Sequence, residues 1–290
     1  MTDRDSFSSL RARMEAIGFR PSSVLGQNFL LDPSLHRWIA ERAAPTRQDT
    51  VVEIGVGLGF LTRELAALAG RVVAVEIDAR LQQLAQEELA GVANIEWVLG
   101  DGLGGERRSM HPAIASASTN TADGHLLVVA NLPYSVSGPL LAELVALPVL
   151  PARCVVLVQK EMAQRVAAPC GSADYGGLSA LVQSMFTARS VRDVGPQVFR
   201  PRPKVMSSIL ELHRREGAAM VVASGADRRS FAEFVRQLFQ QRRKVLRTTL
   251  PAAAAVIRRT AVALSADDLG RRAESVDPDT LARWWAGCGA

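Results

Sequence analysis

The stretch Thr50-Val51-Val52-Glu53-Ile54-Gly55-Val56-Gly57-Leu58-Gly59 decides the fold. Its first half is a short β-branched run that predicts a buried strand, and a helix is predicted directly after it, over Phe60–Leu68. The three glycines between these elements permit a tight turn and a close approach of the backbone to a ligand. Taken alone, such a loop is also compatible with a dinucleotide site or with a plain turn.

The same alternation of strand and helix continues on both sides of this stretch. Further strands are predicted at 71–75, 95–99, 125–130, 153–158 and 206–212, and further helices at 8–17, 33–43, 79–90, 160–168 and 178–187, with a loop over 18–28. Strands that alternate with helices predict an α/β protein with a mostly parallel, doubly wound, Rossmann-like sheet. Residues 104–124 lack periodicity, and we interpret them as a mobile surface insertion without chemistry.

Beyond Gly217 the pattern predicts helices alone, over 230–240, 242–250, 253–261 and 279–285. We therefore predict two domains, a Rossmann-like catalytic domain over residues 1–217 and a small all-helical domain over residues 218–290. The segment from Asp227 onward contains twelve basic and seven acidic residues, an excess equal to the net charge of +5 of the whole chain. A basic excess in one region suits a polyanion such as RNA, although a solvated helical surface is the alternative.

The composition is that of a soluble globular protein of 290 residues, with 48% hydrophobic and 22% charged residues. The three scattered cysteines, Cys154, Cys170 and Cys288, fit neither a disulfide framework nor a zinc site, so no metal site is predicted. The polar N-terminus has no features of a signal peptide, and no apolar run approaches the ~18 residues of a membrane span. These features favour a cytoplasmic protein.

Acidic residues are predicted at the carboxyl ends of three successive strands: Glu53 ahead of the glycines, Glu76, and Asp101. A carboxylate at Glu76 is placed to accept hydrogen bonds from ribose hydroxyls, and one at Asp101 to accept from an adenine amine. Three acidic groups repel a pyrophosphate, whereas S-adenosylmethionine carries a positive sulfonium and no phosphate. S-adenosylmethionine is therefore the predicted cofactor; the alternative is that Glu76 and Asp101 are only a helix cap and a turn former.

The fourth strand ends in Ala130-Asn131-Leu132-Pro133-Tyr134, which predicts chemistry on an adenine amine. This nitrogen is a poor nucleophile, because its lone pair is delocalised into the ring. Two acceptors aimed at its hydrogens, the side-chain oxygen of Asn131 and the carbonyl of Leu132, favour the tetrahedral geometry needed for attack. Tyr134 offers a face on which the base stacks. A structural Asn-x-Pro turn is the alternative.

Two basic segments suggest contacts with RNA phosphates. In the run 199–207, Phe199 is predicted to sandwich the base opposite Tyr134, and the phosphate contacts are assigned to Arg200, Arg202 and Lys204. A proline-rich crossover is the alternative there. The second segment lies at a predicted helix start, and its phosphate contacts are assigned to Arg242, Arg243 and Lys244. A solvated helix face is the alternative for such a charge run.

Taken together, these segments resemble the small-subunit ribosomal RNA adenine dimethyltransferases. The matching stretches, in family order, are 25–30 (LGQNFL), 53–59 (EIGVGLG), 76–78 (EID), Asp101, 131–134 (NLPY), 159–162 (QKEM), 175–179 (YGGLS), 199–205 (FRPRPKV) and 241–244 (QRRK). The resemblance implies dimethylation of two adjacent adenosines in a hairpin near the 3′ end of the small-subunit RNA, late in subunit assembly.

The resemblance also implies a set of cofactor contacts, at Asn28, Leu30, Gly55, Glu76, Asp101 and Asn131. We expect a monomer whose partner is the small ribosomal subunit. Two alternatives stay open: a non-catalytic nucleic-acid-binding factor, and a methyltransferase of large-subunit RNA that confers drug resistance. Cofactor binding separates the first from an enzyme, and the substrate RNA separates the second.

Overall fold

The computed structural model of the protein describes residues 12, 14–16, 18–19, 27–121, 124–215 and 222–289. The helix predicted over residues 8–17 and the loop predicted over 18–28 lie largely outside these residues. The predicted domain boundary between residues 217 and 218 also lies outside them.

A seven-stranded sheet, counted over the described residues, forms the centre of the fold. The strands of the protein are β1 (Phe29–Leu30), β2 (Thr50–Ile54), β3 (Arg71–Glu76), β4 (Ile95–Leu99), β5 (Leu126–Asn131), β6 (Arg153–Gln159), β7 (Phe186–Val194), β8 (Phe199–Arg200) and β9 (Ser207–Arg214). The order in the sheet is β4-β3-β2-β5-β6-β9-β7, and the pairs among the first five of these are parallel. The predicted doubly wound α/β fold is confirmed. The short strands β1 and β8 form a separate antiparallel pair.

Helices connect the parallel strands and continue to the C-terminus. They are α1 (Pro33–Ala43), α2 (Phe60–Leu68), α3 (Ala79–Glu88), α4 (Pro112–Thr119), α5 (Ser137–Val145), α6 (Lys160–Ala167), α7 (Gly177–Met185), α8 (Gly225–Gln240), α9 (Leu246–Val256), α10 (Ala266–Gly270) and α11 (Pro278–Gly287). The carboxylate of Asp78 accepts from the amide of Arg80 at 2.9 Å and so caps the N-terminus of α3. None of the helices described is long and apolar enough to cross a membrane.

The segment 104–124 differs from its prediction as a mobile insertion. Its described part contains the 3₁₀ turn Glu106–Arg108 and helix α4. Ile114, Ala117 and Ser118 are buried, and α4 packs against β2 and β3. The prediction failed because α4 consists mostly of Ala, Ser and Thr, whose small side chains give little apolar periodicity although they pack closely on a sheet.

Strand β7 was not predicted; the sequence pattern placed a helix over residues 178–187, whereas α7 ends at Met185 and β7 begins at Phe186. β7 lies at the edge of the sheet, and only its first and last residues are buried. Its sequence therefore lacks the alternation of apolar and polar residues that marks a half-buried strand. The prediction of two helices over 242–250 and 253–261 is also wrong, because a single helix, α9, extends over Leu246–Val256 and contains Pro251.

Two compact units make up the chain. The first comprises Met1–Ser137, Pro151–Lys160 and Val191–Glu211, and its core is a cluster that includes Leu65, Val72 and Val155. The second comprises Gly138–Leu150, Glu161–Ser190 and Leu212–Ala290. The second unit therefore includes segments that precede residue 218, unlike the predicted helical domain. The reason is that α7 packs against the C-terminal helices α8 and α11. The functions assigned to residues 1–217 and 218–290 stay predictions.

Candidate active site

The loop between β2 and α2 has the backbone that its glycines predict. Gly55, Gly57 and Gly59 have φ angles of 82°, 57° and 78°, in the left-handed region that favours glycine. A Cβ at Gly57 would lie 3.2 Å from the ring of Phe29. The loop thus combines a left-handed backbone with a close approach of a neighbouring ring, so a side chain there would be both strained and crowded.

Glu76 stabilises this loop from the end of β3. Its buried carboxylate accepts from the amide of Gly57 at 2.8 Å and from the amides of Ile77 and Asp78, each at 3.0 Å. Burial raises the pKa of Glu76, while these amide bonds act in the opposite direction. The carboxylate is therefore held in one orientation beside the glycine loop.

Glu53 is a buried carboxyl group in the strand that leads into the loop. Only 1% of it is exposed, and its Oε2 atom has no hydrogen-bond partner among the described residues. Burial raises the pKa of Glu53 from 4.5 to about 8, and the charge of Glu76 contributes to the rise. The buried hydroxyl of Thr62 lowers the pKa of Glu53 and so opposes part of this rise.

Asp101 follows β4, and its neighbour Gly100 donates to the main-chain oxygen of Glu76 at 2.8 Å. The exposed carboxylate of Asp101 accepts from the amide of Leu103 at 2.9 Å, within its own turn. Glu53, Glu76 and Asp101 thus belong to the carboxyl ends of three adjacent strands, β2, β3 and β4, as the sequence predicts. The turn-forming role of Asp101, given above as an alternative, is also present.

Asn131 is the last residue of β5, and its side chain has a defined orientation. Its Nδ2 donates to the carbonyl of Asn28 at 3.0 Å. This bond fixes the amide, so that Oδ1, which is an acceptor, lies at the opposite end from Asn28. The carbonyl of Asn131 lies 3.8 Å from the position of a Cβ on Gly55, so this loop faces the glycine loop. The amide of Leu132 donates to the carbonyl of Leu157 at 3.1 Å, which anchors the loop to β6.

Tyr134 is half-buried, and its hydroxyl shares a hydrogen bond of 2.5 Å with Oγ of the buried Ser207. Burial raises the pKa of Tyr134, and the Ser207 bond acts in the opposite direction. Ser207 was not among the predicted site residues. The only sequence signal was its position at the end of the basic run 199–207, which does not reveal its partner.

Phe199 lies elsewhere than its prediction requires. It pairs with Leu30 between β8 and β1, and its side chain is 0% exposed within the hydrophobic core of the first unit. No face of its ring is open to a base. The prediction that Phe199 sandwiches the base opposite Tyr134 is therefore wrong in this structure, because the pairing of β8 with β1 places its side chain in the core.

The basic residues after Phe199 are exposed on the first unit, as expected of phosphate contacts: Arg200, Arg202 and Lys204. Arg200 also donates to the carbonyls of Gln197 and Phe199, at 3.0 and 2.7 Å.

In the second unit, Arg243 and Lys244 are exposed in the turn between α8 and α9. Arg242, in contrast, forms an ion pair with Glu274 and donates to the carbonyl of Ala173 at 2.7 Å. Arg242 thus links three segments of its own unit, a role that its place in a charge run did not predict.

Comparison with known proteins shows the family to which the chain belongs. The model of the family described as ribosomal RNA adenine dimethylase matches residues 18–267. A ribosomal RNA small subunit methyltransferase A from Moorella thermoacetica is 41% identical over 80% of each chain, and its counterpart from Deinococcus radiodurans is 38% identical over 83% of this chain and 76% of the relative.

Two solved structures extend the similarity to the whole fold. A dimethyladenosine transferase from Plasmodium falciparum superposes with a TM-score of 0.66 at 24% identity, covering 86% of this chain and 93% of that one. The 23S rRNA methyltransferase ErmE superposes with a TM-score of 0.58 at 26% identity, covering 89% and 98%.

The sheet and the glycine loop with its flanking carboxyl groups define a class I methyltransferase that uses S-adenosylmethionine. The left-handed glycine loop and the buried carboxylate of Glu76, which binds the amide of Gly57, fit this phosphate-free cofactor. More narrowly, the chain belongs to the ribosomal RNA adenine dimethylase family, whose enzymes dimethylate adenine in ribosomal RNA.

Proposed function

We propose that this protein dimethylates the N6 amines of two adjacent adenosines in a hairpin near the 3′ end of small-subunit ribosomal RNA, as a late step in assembly of the subunit. Relatives at 38% and 41% identity carry the name of the small-subunit enzyme. The observation that carries the proposal is the side chain of Asn131, whose amide end is bound by Asn28 and whose oxygen end remains an acceptor beside the glycine loop.

In the proposed mechanism the protein prepares the adenine amine for attack. The Oδ1 of Asn131 and the carbonyl of Leu132 accept from the two amine hydrogens, which localises the lone pair on the nitrogen. Bound S-adenosylmethionine supplies a methyl group on a positive sulfonium. Tyr134 stacks on the base and, since its hydroxyl is bound to Ser207, presents its ring in one orientation. No strong base is required, because the methylated ammonium loses its proton readily.

The cofactor contacts that we propose are Asn28, Leu30, Gly55, Glu76, Asp101 and Asn131. Since the Leu30 side chain is buried against Phe199, its contact would be made by the main chain. Phosphate contacts are proposed at Arg200, Arg202, Lys204, Arg243 and Lys244, which are exposed cations. We also propose that the enzyme is cytoplasmic and monomeric. Its elution volume in gel filtration at micromolar concentration would test whether it is a monomer.

Replacement of Asn131 by Ala tests the proposal. Loss of one acceptor that acts in the transition state is expected to lower methyl transfer by about 100-fold or more. Cofactor affinity, measured by calorimetry, is expected to stay within a few-fold, because the other contacts remain. The matched control is Asn120→Ala at an exposed helix end. Unchanged turnover of Asn131→Ala would refute the acceptor role.

A further inference from the structure

His111 precedes α4 and lies against the turn that carries Asp101. Its Nδ1 accepts from the amide of Ala113 at 3.2 Å and so caps α4, and its own amide donates to the carbonyl of Gly102 at 2.9 Å. Because Nδ1 is an acceptor, the proton of the neutral ring is on Nε2. His111 therefore connects the start of a helix with the loop after β4.

The ring of His111 packs directly on two glycines of this loop. A Cβ built on Gly100 would lie 2.9 Å from Nε2 and 3.0 Å from Cδ2 of His111, and a Cβ on Gly104 would lie 3.3 Å from Cδ2. Real Cβ contacts are essentially never that short at Gly100, so the imidazole occupies the space that a side chain would fill. The ring therefore occupies the Cβ position at Gly100, whereas at Gly104 the nearest obstacle to a Cβ is the carbonyl of Asp101, at 2.8 Å.

Asp101 lies between these two glycines and is held by the same turn. Its Oδ1 accepts from Leu103 at 2.9 Å, and its carbonyl accepts from Gly104 at 2.8 Å. The helix that supports the ring is itself fixed, since its buried face packs on β2 and β3. The path from the sheet through α4 and His111 to the Asp101 turn is therefore continuous and packed.

We infer that His111 is a positioning residue, which fixes the turn so that Asp101 presents its carboxylate to the adenine of the cofactor. The inference rests on the cofactor role proposed for Asp101. It gives His111, and through it helix α4, a function in cofactor binding.

The variant His111→Asn tests the packing of the ring independently of the helix cap. An Asn side chain still accepts from the amide of Ala113, whereas the packing on Gly100 and Gly104 is lost. We expect S-adenosylmethionine to bind this variant roughly five- to tenfold more weakly by calorimetry, with kcat at saturating cofactor unchanged. His125→Asn, an exposed histidine in the same unit, is the matched control and should bind as the wild type does. Gly104→Ala, which brings a Cβ to 2.8 Å from the Asp101 carbonyl, should weaken binding in the same way.

A double-mutant cycle with Asp101→Ala decides whether His111 acts through Asp101. If it does, His111→Asn weakens binding in the wild-type background and has no further effect when Asp101 is already Ala. Equal weakening in both backgrounds, or no weakening in either, would overturn the inference. If Asp101→Ala itself binds the cofactor normally, the role proposed for Asp101 fails as well, and that outcome is distinguished by the single variant alone.

Discussion

Glu53 is expected to lower the stability of the free enzyme in a pH-dependent way. The carboxyl group is 1% exposed, its Oε2 atom lacks a partner in the described structure, and its pKa is raised from 4.5 to about 8. A raised pKa means that the folded protein binds more protons than the unfolded chain between these two values. Stability from this group is therefore fully present below about pH 4.5 and is lost as the pH rises towards 8.

The size of the effect follows from the shift. One pKa unit corresponds to about 1.4 kcal/mol, so the contribution of Glu53 to the free energy of unfolding falls by about 3 kcal/mol between roughly pH 5.5 and pH 8. Glu53→Gln removes the titrating group but keeps the shape of the side chain. The stability of the variant relative to the wild type is expected to increase by that amount over the same window. Glu76 titrates in both proteins, so its own contribution largely cancels.

The assay is urea unfolding of wild type and variant at several pH values without cofactor, with stability obtained by linear extrapolation. Effects of the substitution that do not depend on pH cancel in the comparison. Glu41→Gln, at an exposed position of α1, is the control for the substitution itself. A flat profile for Glu53→Gln would refute the reasoning, since it would mean that Glu53 titrates in the native state as it does in the unfolded chain.

Three further predictions concern other parts of the protein. Tyr134→Phe and Ser207→Ala each remove one partner of the hydroxyl pair, so both should lower kcat several-fold with little change in cofactor affinity, and their combination should be no worse than either. Arg228→Met should reduce the free energy of unfolding by about 3 kcal/mol or more, because the buried guanidinium donates to several main-chain carbonyls, and urea unfolding measures it. Replacement of both Arg243 and Lys244 by Ala should weaken RNA binding in a filter-binding assay. The slope of log K against log salt concentration should fall by an amount that corresponds to up to about two phosphate contacts, and an unaltered slope would mean that this turn does not contact RNA.

The parts of the site that the sequence predicts correctly are those in which one local rule determines the geometry. The glycine run has left-handed backbone angles at Gly55, Gly57 and Gly59, where glycine is favoured over any other residue. Glu76 and Asp101 come together because the carboxyl ends of parallel strands meet at one edge of a sheet. Strand periodicity and spacing suffice for both inferences, and neither requires knowledge of a distant contact.

The sequence does not predict the contacts that residues make with distant partners. Phe199 belongs to a conspicuous aromatic and basic motif, but pairing with Leu30 buries it. Arg242 belongs to a charge run, yet Glu274 and Ala173, from other parts of the chain, take up its donors. Ser207 becomes important only through Tyr134, which lies more than seventy residues earlier. No local pattern contains such pairings, since they are set by the tertiary fold.

The most direct test of the proposed function is to incubate the protein with labelled S-adenosylmethionine and unmethylated small ribosomal subunits, and to analyse ribonuclease fragments of the RNA by mass spectrometry. We expect N6,N6-dimethyladenosine at two adjacent positions near the 3′ end of the small-subunit RNA, and its absence with Asn131→Ala. Dimethylation only of large-subunit RNA, offered in a parallel reaction, would contradict the proposed substrate. A protein that neither transfers methyl groups nor binds the cofactor would be a nucleic-acid-binding factor rather than an enzyme.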